Sequence, residues 1–208
     1  GLGAQVARPG HPEDVVDASS AIGTKIGSPF LGSCTNGRLE DLRTAAAILE
    51  GKRVAPGVVL KIVPSTRKVW EAALAEGLVK TLVDAGALIG NAGCGGCAAG
   101  QIGQNGPGEV TVSSGNRNFA GKQGKGEVYL ASPQVVAASA VAGQIALPDS
   151  IPDKPAEFTQ GTGAAKAPAE KPAGGDRPTQ FKGRAWVIDE DNIDTDMIYH
   201  NRYLTITD

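Results

Sequence analysis

From Ser28 onward the apolar positions fall into two alternating rhythms. SPFLGS (28–33) is a short apolar run, the loop CTNG follows, and Leu39, Leu42, Ala46 and Leu49 then recur on one face at helical spacing. Glu40 and Asp41 in the first turn and Gly51 beyond the last periodic residue mark the ends of that helix. GVVLKIVP (57–64) reads as a β-branched strand stopped by Pro64. STRKVWEAALAEG reads as a helix capped by Ser65 and ended at Gly77, and LVKTLVDAG as a second helix ended at Gly86. ALIGNAG (87–93) runs into the glycine-rich GCGGCAAG. EVTVSS (109–114) alternates as a strand, SGNRNFAGKQGKG is a polar loop, and EVYLASP is a further strand. PQVVAASAVAG (133–143) completes the series as a helix with Pro133 near its start and Gly143 at its end.

Strands alternating with helices predict an α/β fold: a three-layer α/β/α domain around a mainly parallel sheet, over residues 28–147. In such sheets ligand chemistry gathers in loops at the carboxyl ends of strands. Cys34, the CxxC pair and the NRN loop each follow a strand, so one edge can bring them together. Residues 1–27 are weakly patterned and read as a tail or interdomain segment. Residues 148–180, rich in Pro, Ala, Gly, Lys and Thr, lack apolar periodicity and read as a flexible linker. Residues 181–208 regain strand-like content and read as the start of a second, unfinished domain. The chain begins GLGAQVARPGHPEDVV, without Met, and is expected to be a segment of something longer.

Composition narrows the function classes. With 41% hydrophobic residues in 208, the chain can bury a core, and with only 4% aromatics but 29 glycines that core is expected to be aliphatic. A formal net charge of −2 with dispersed Lys and Arg gives no argument for nucleic acid. No run approaches the roughly 18 apolar residues of a membrane span, so no membrane partner is expected. Three cysteines cannot all pair internally, and nothing points to export. A cytoplasmic chain with reduced thiols is the expectation.

The thiols are the candidate chemistry. Cys94 and Cys97 present two sulfurs from one turn, and Cys34, at the end of another strand, can converge on them. Four readings stand side by side: zinc completed by a fourth ligand, an iron–sulfur cluster, a dithiol redox pair, or three unrelated thiols. Zinc is unattractive because His11 and His200, the only histidines, lie in poorly placed segments. A redox CxxC would leave Cys34 without a role. A cluster held by three cysteines leaves one iron without a protein ligand, open to a substrate oxygen.

SCTNGRLEDLR, GCGGC, SGNRNFAGKQG and VYLASPQVVAASAVAG, in this order and spacing, resemble the cluster-bearing third domain of the aconitase superfamily. GRAWVIDEDNIDTDMIYHNRYL resembles the start of its mobile, β-rich swivel domain. The resemblance implies a [4Fe-4S] cluster on Cys34, Cys94 and Cys97 and a substrate pocket lined by Asn36, Asn116 and Arg117. It further implies Thr195 and Asp196 as swivel-domain residues reaching the active site, with Arg202 near them. Arg117 suits a carboxylate because its planar fork binds both oxygens. Where the family has a second arginine, in FxGRxG, this chain has Lys122, which keeps the charge without the fork and so bears on substrate affinity and identity. Taken alone, Asp191, Asp194 and Asp196 read as an acidic turn; the motif match sets Asp196 apart. Trp70 and Trp186 are assigned to packing.

The activity so implied is a hydro-lyase of hydroxy di- or tricarboxylic acids. Its partners would be the polycarboxylate and the remaining domains of the same enzyme, which hold the catalytic base. An iron–sulfur electron carrier and a catalytically silent metal-binding fragment are the rivals.

Overall fold

In the computed structural model, which describes residues 3–156 and 182–184, strand alternation decides which layer each side chain joins. The elements run β1 (Gln5–Ala7), β2 (Val15–Asp17), a 3-10 turn (Ala18–Ala21), β3 (Phe30–Gly32), α1 (Leu39–Leu49), β4 (Lys61–Val63), α2 (Arg67–Ala75), α3 (Leu78–Asp84), β5 (Leu88–Ile89), a second 3-10 turn (Gly95–Cys97), β6 (Val110–Ser113), β7 (Glu127–Ala131) and α4 (Pro133–Ala142). The seven strands form one sheet in the order β2-β1-β7-β6-β3-β4-β5. The five strands from β7 to β5 are parallel neighbours, with Leu31 opposite Ile62 and Val112 opposite Tyr129. β1 is antiparallel to both β2 and β7. The α/β class and the mainly parallel sheet are as the sequence predicts.

The chain divides into two units, residues 1–160 and 161–208. Every element above lies in the first; of the second, residues 182–184 are described.

The direction in which the chain steps across the sheet sorts the layers. From β3 through β4 to β5 it moves one way, and right-handed crossovers put α1, α2 and α3 on one face. α1 packs against α4, α3 and α2 there, and α4 rests on β3, β6 and β7. To reach β6 and then β7 the chain steps back, and the same handedness carries residues 90–109 and 114–126 over the opposite face. Among the described residues this second outer layer is loop and a 3-10 turn, not α-helix. Leu31, Ile62 and Val112 accordingly join the helical core with Leu42, Leu49, Leu82 and Val136. Their neighbours Phe30, Lys61 and Thr111 meet the loop layer instead.

Helix starts follow local chemistry. Thr66, not Ser65, caps α2, its hydroxyl accepting from the Val69 N–H at 3.3 Å. The Asp41 carboxylate accepts from the Arg38 N–H at 3.0 Å at the start of α1. Ser132 caps α4 ahead of Pro133.

The expectation of a tail over residues 1–27 is corrected. β1 adds to the sheet beside β7, with Val6 opposite Ala131 and almost fully buried. A three-residue strand turns so few side chains inward that no periodicity shows, and its partner lies far along the chain. The linker expected over 148–180 starts later than the sequence indicates, since the Ala156 N–H donates to the Ala142 carbonyl at 2.7 Å. The rest of that linker, and nearly all of the second domain, lie outside the described residues.

Candidate functional site

Cys34 stands where β3 turns into the loop leading to α1. Gly32, at φ +129°, passes so close to β4 that a Cβ would lie 1.9 Å from the Val63 carbonyl oxygen. Ser33 follows with φ +92°, the one non-glycine residue at positive φ among those described, and is fully buried. Such a conformation costs of order 1–3 kcal/mol and persists where the surroundings over-determine it. Here the Ser33 N–H donates to the Val63 carbonyl at 3.1 Å and its carbonyl accepts from the Gly37 N–H at 3.0 Å. The loop is thereby closed over β4, and Cys34 is turned outward and exposed.

Cys94 and Cys97 bracket the 3-10 turn of the loop layer, in which the Cys97 N–H donates to the Cys94 carbonyl at 3.3 Å. The turn lies directly on Phe30: Gly95 has φ +54°, and a Cβ there would stand 2.8 Å from the Phe30 ring. Buried side-chain amides supply what regular structure does not. Asn105 donates to the Thr111 hydroxyl at 3.1 Å and to the Glu127 carbonyl at 3.2 Å, and accepts from the Gly126 N–H at 2.8 Å. Gln123 donates to the Gly103 carbonyl at 3.1 Å.

The loop after β6 joins the two cysteine segments. The Ser114 hydroxyl accepts from the Gly32 N–H at 2.8 Å, and the Ser114 carbonyl accepts from the Asn36 side-chain amide. Two residues on, the Asn116 side-chain oxygen Oδ1 accepts from the Cys97 thiol at 3.7 Å. Asn36, Asn116, Cys34, Cys94 and Cys97 therefore belong to one locality. Arg117 and Lys122 are half-buried in the same loop. Asn118 is buried and donates to the Arg8 carbonyl at 2.6 Å, tying this loop to the β1–β2 hairpin. Thr195, Asp196, Arg202 and His200 lie outside the described residues. His11 is exposed beside Glu13, at 3.4 Å.

Partial burial pushes the Cys34 thiol above its ordinary value, and Cys94, its hydrogen-bonding neighbour, and Cys97 push it the same way. These causes record three sulfurs close enough to feel one another. Negative charge on Cys34 is disfavoured until a cation arrives to bind it. Among the described residues no three His, Cys, Asp or Glu side chains are placed to grip a single metal ion.

Sequence reasoning did not single out Lys61, Gln104, Asn105 or Ser114. The available signal was alternation: in Lys-Ile-Val and Thr-Val-Ser the polar residues fall on the face away from the helices.

The sequence that builds this geometry matches known proteins. The family model described as aconitase family (aconitate hydratase) matches residues 10–143, and the chain belongs to that family. Among curated relatives, the probable 3-isopropylmalate dehydratase large subunit of Methanothermobacter thermautotrophicus is 51% identical over 149 residues, 71% of this chain and 36% of the relative. The homoaconitase large subunit of Thermus thermophilus is 45% identical over 152 residues, 72% of this chain and 36% of the relative. The 3-isopropylmalate dehydratase large subunit of Sulfurihydrogenibium is 49% identical over 148 residues, covering 70% and 34%. The chain thus spans about a third of the length of the curated relatives it matches. No helix among the described residues is long and apolar enough to cross a membrane.

Proposed function

We propose that this chain forms the cluster-binding part of a hydro-lyase that interconverts hydroxylated di- or tricarboxylic acids by dehydration and rehydration. The observation that carries the reading is the meeting of Cys34 with Cys94 and Cys97 beside a loop bearing Arg117 and Lys122. Membership of the aconitase family supports it.

The donor set fits a [4Fe-4S] cluster. Three soft thiolates in one locality suit iron–sulfur chemistry. Cys34, Cys94 and Cys97 would hold it. When bound, the group supplies an iron without a protein ligand, a Lewis acid for a substrate hydroxyl and carboxylate.

The chain's own groups do the rest. Arg117 binds a substrate carboxylate through two parallel N–H bonds, and Lys122 offers a point charge to another. Asn36 anchors the loop after Cys34 through its amide N–H, and Asn116, whose side-chain oxygen accepts from Cys97 only while that thiol keeps its proton, turns its own N–H groups to the substrate. Thr195, Asp196 and Arg202 are assigned, by resemblance, to the swivel-like segment, and lie outside the described residues.

The relatives' names include 3-isopropylmalate and homoaconitase, so a branched or lengthened hydroxy acid is the substrate class. Those names also say large subunit, implying a separate small one. The swivel-like residues 182–208 argue that this protein carries that part on the same polypeptide.

The test is anaerobic reconstitution of the full-length protein, followed by iron and sulfide analysis, EPR of the oxidised cluster, and turnover of citrate, 3-isopropylmalate and homocitrate. A substrate-dependent hydratase activity with stoichiometric sulfide is expected. Stoichiometric zinc without sulfide would sink the proposal, and a loaded cluster without turnover would favour the silent fragment.

A further inference from the structure

Gln104 sits in the loop layer between the cysteine pair and β6, and its side chain spans two other segments. Its amide nitrogen donates to the carbonyl of Gly96, the residue before Cys97, and lies 3.5 Å from the carbonyl of Lys122. A glutamine amide carries two N–H donors, enough to serve both carbonyls. The Gln104 backbone is itself pinned: its carbonyl accepts from the Lys61 ammonium of β4 at 2.9 Å, and Lys61 also donates to the Ser28 hydroxyl at 2.7 Å. Gln123, next to Lys122, packs on the same turn so tightly that a Cβ on Gly96 would lie 2.9 Å from its Cγ.

We propose that Gln104 is a positioning residue that couples the Cys94–Cys97 turn to the Lys122 loop. Holding the Gly96 carbonyl fixes the peptide plane from which Cys97 departs. Holding the Lys122 carbonyl fixes the origin of that side chain. One amide then sets the distance between a thiolate pair and a carboxylate-binding arm, and both shift together when it is lost. The role of the Lys122 arm rests on the proposed function; the coupling of the two loops does not.

The experiment uses the full-length protein, anaerobically reconstituted, with Gln104→Leu and the isosteric Gln104→Glu, which also lacks the donor. Hydrogen exchange is read at residues 94–97 and 119–124, together with iron release to a chelator and KM against kcat. Losing a hydrogen bond to a partly buried carbonyl corresponds to about a tenfold effect. Exchange in both segments should rise about tenfold, iron should leave faster, and KM should rise about tenfold with kcat changed less. In the Gln104→Leu background, Lys122→Ala should raise KM by a smaller factor than it does in the wild type. Exchange raised in one segment alone, or in neither, overturns the coupling; exchange raised in both with an unchanged KM supports the coupling and removes Lys122 from substrate binding. Should the wild type show no turnover, the proposed function fails while the exchange data still decide the coupling. If Gln104→Leu does not fold, Gln104→Glu gives the same readings.

Discussion

The Gly32 N–H donates to the Ser114 hydroxyl at 2.8 Å, joining the end of β3 to the end of β6. The same Ser114 takes the Asn36 amide on its carbonyl. Ser114→Ala removes the acceptor and leaves a buried N–H unpaired, at a cost of about 1–3 kcal/mol. Denaturant unfolding should show that loss, and iron loading should fall with it.

Each of Cys34→Ser, Cys94→Ser and Cys97→Ser should leave iron and sulfide well below wild-type stoichiometry, because the hard hydroxyl of serine is a poor substitute for thiolate. A variant that retains both in full removes its cysteine from the ligand set.

Arg117→Lys keeps charge and loses the fork. A charge-assisted hydrogen bond is worth about 1.5–3 kcal/mol, so KM should rise roughly 10- to 100-fold with folding unchanged. Lys122→Arg adds a fork at the position where the family carries one, and the ratio of kcat/KM between two candidate acids should change. Steady-state kinetics on both variants checks this pair.

Burial lowers the pKa of Lys61 from its ordinary 10.5, with Glu109 opposing the shift. The unfolded chain therefore binds this proton more tightly than the folded one, so stability rises with pH from the folded pKa up to 10.5, and no further. Lys61→Met should flatten that alkaline rise in thermal unfolding curves taken across the window. An unaltered slope would count against the burial.

Gly95→Ala forces a Cβ against Phe30 at positive φ. The expected cost is about 1–3 kcal/mol, and Phe30→Leu in the same chain should recover part of it. Paired thermal melts of the single and double variants test the relief.

The helices and the parallel strands were legible because each buries a stripe or an alternating face, and α1 falls at Leu39–Leu49, where the spacing of Leu39, Leu42, Ala46 and Leu49 puts it. β1 and β2 were not, since three residues carry no period and the hairpin they form joins the sheet only through β1's pairing with the distant β7. The loop layer was equally opaque. Its residues hold place through hydrogen bonds from side-chain amides, such as Asn105 to the Thr111 hydroxyl, which leave no hydrophobic trace. The motifs did mark the cysteines and Asn36, Asn116, Arg117 and Lys122 as one group. What they could not show is the apparatus behind them: the twisted backbone of Ser33, the Ser114 clasp and the Lys61 strut.

Two of the amides that lock this layer, Asn36 and Asn105, stand immediately before glycines. Asn-Gly is the sequence in which a side chain most readily closes on the next backbone nitrogen and sheds ammonia. In the folded chain both of those nitrogens are occupied, Gly37 by the Ser33 carbonyl and Gly106 by the Glu109 carboxylate, each at 3.0 Å. The bonds that aim the site thus also slow its chemical ageing. Every spell spent unfolded releases those nitrogens, and an isoaspartate or aspartate left at position 36 or 105 becomes a lasting record of it.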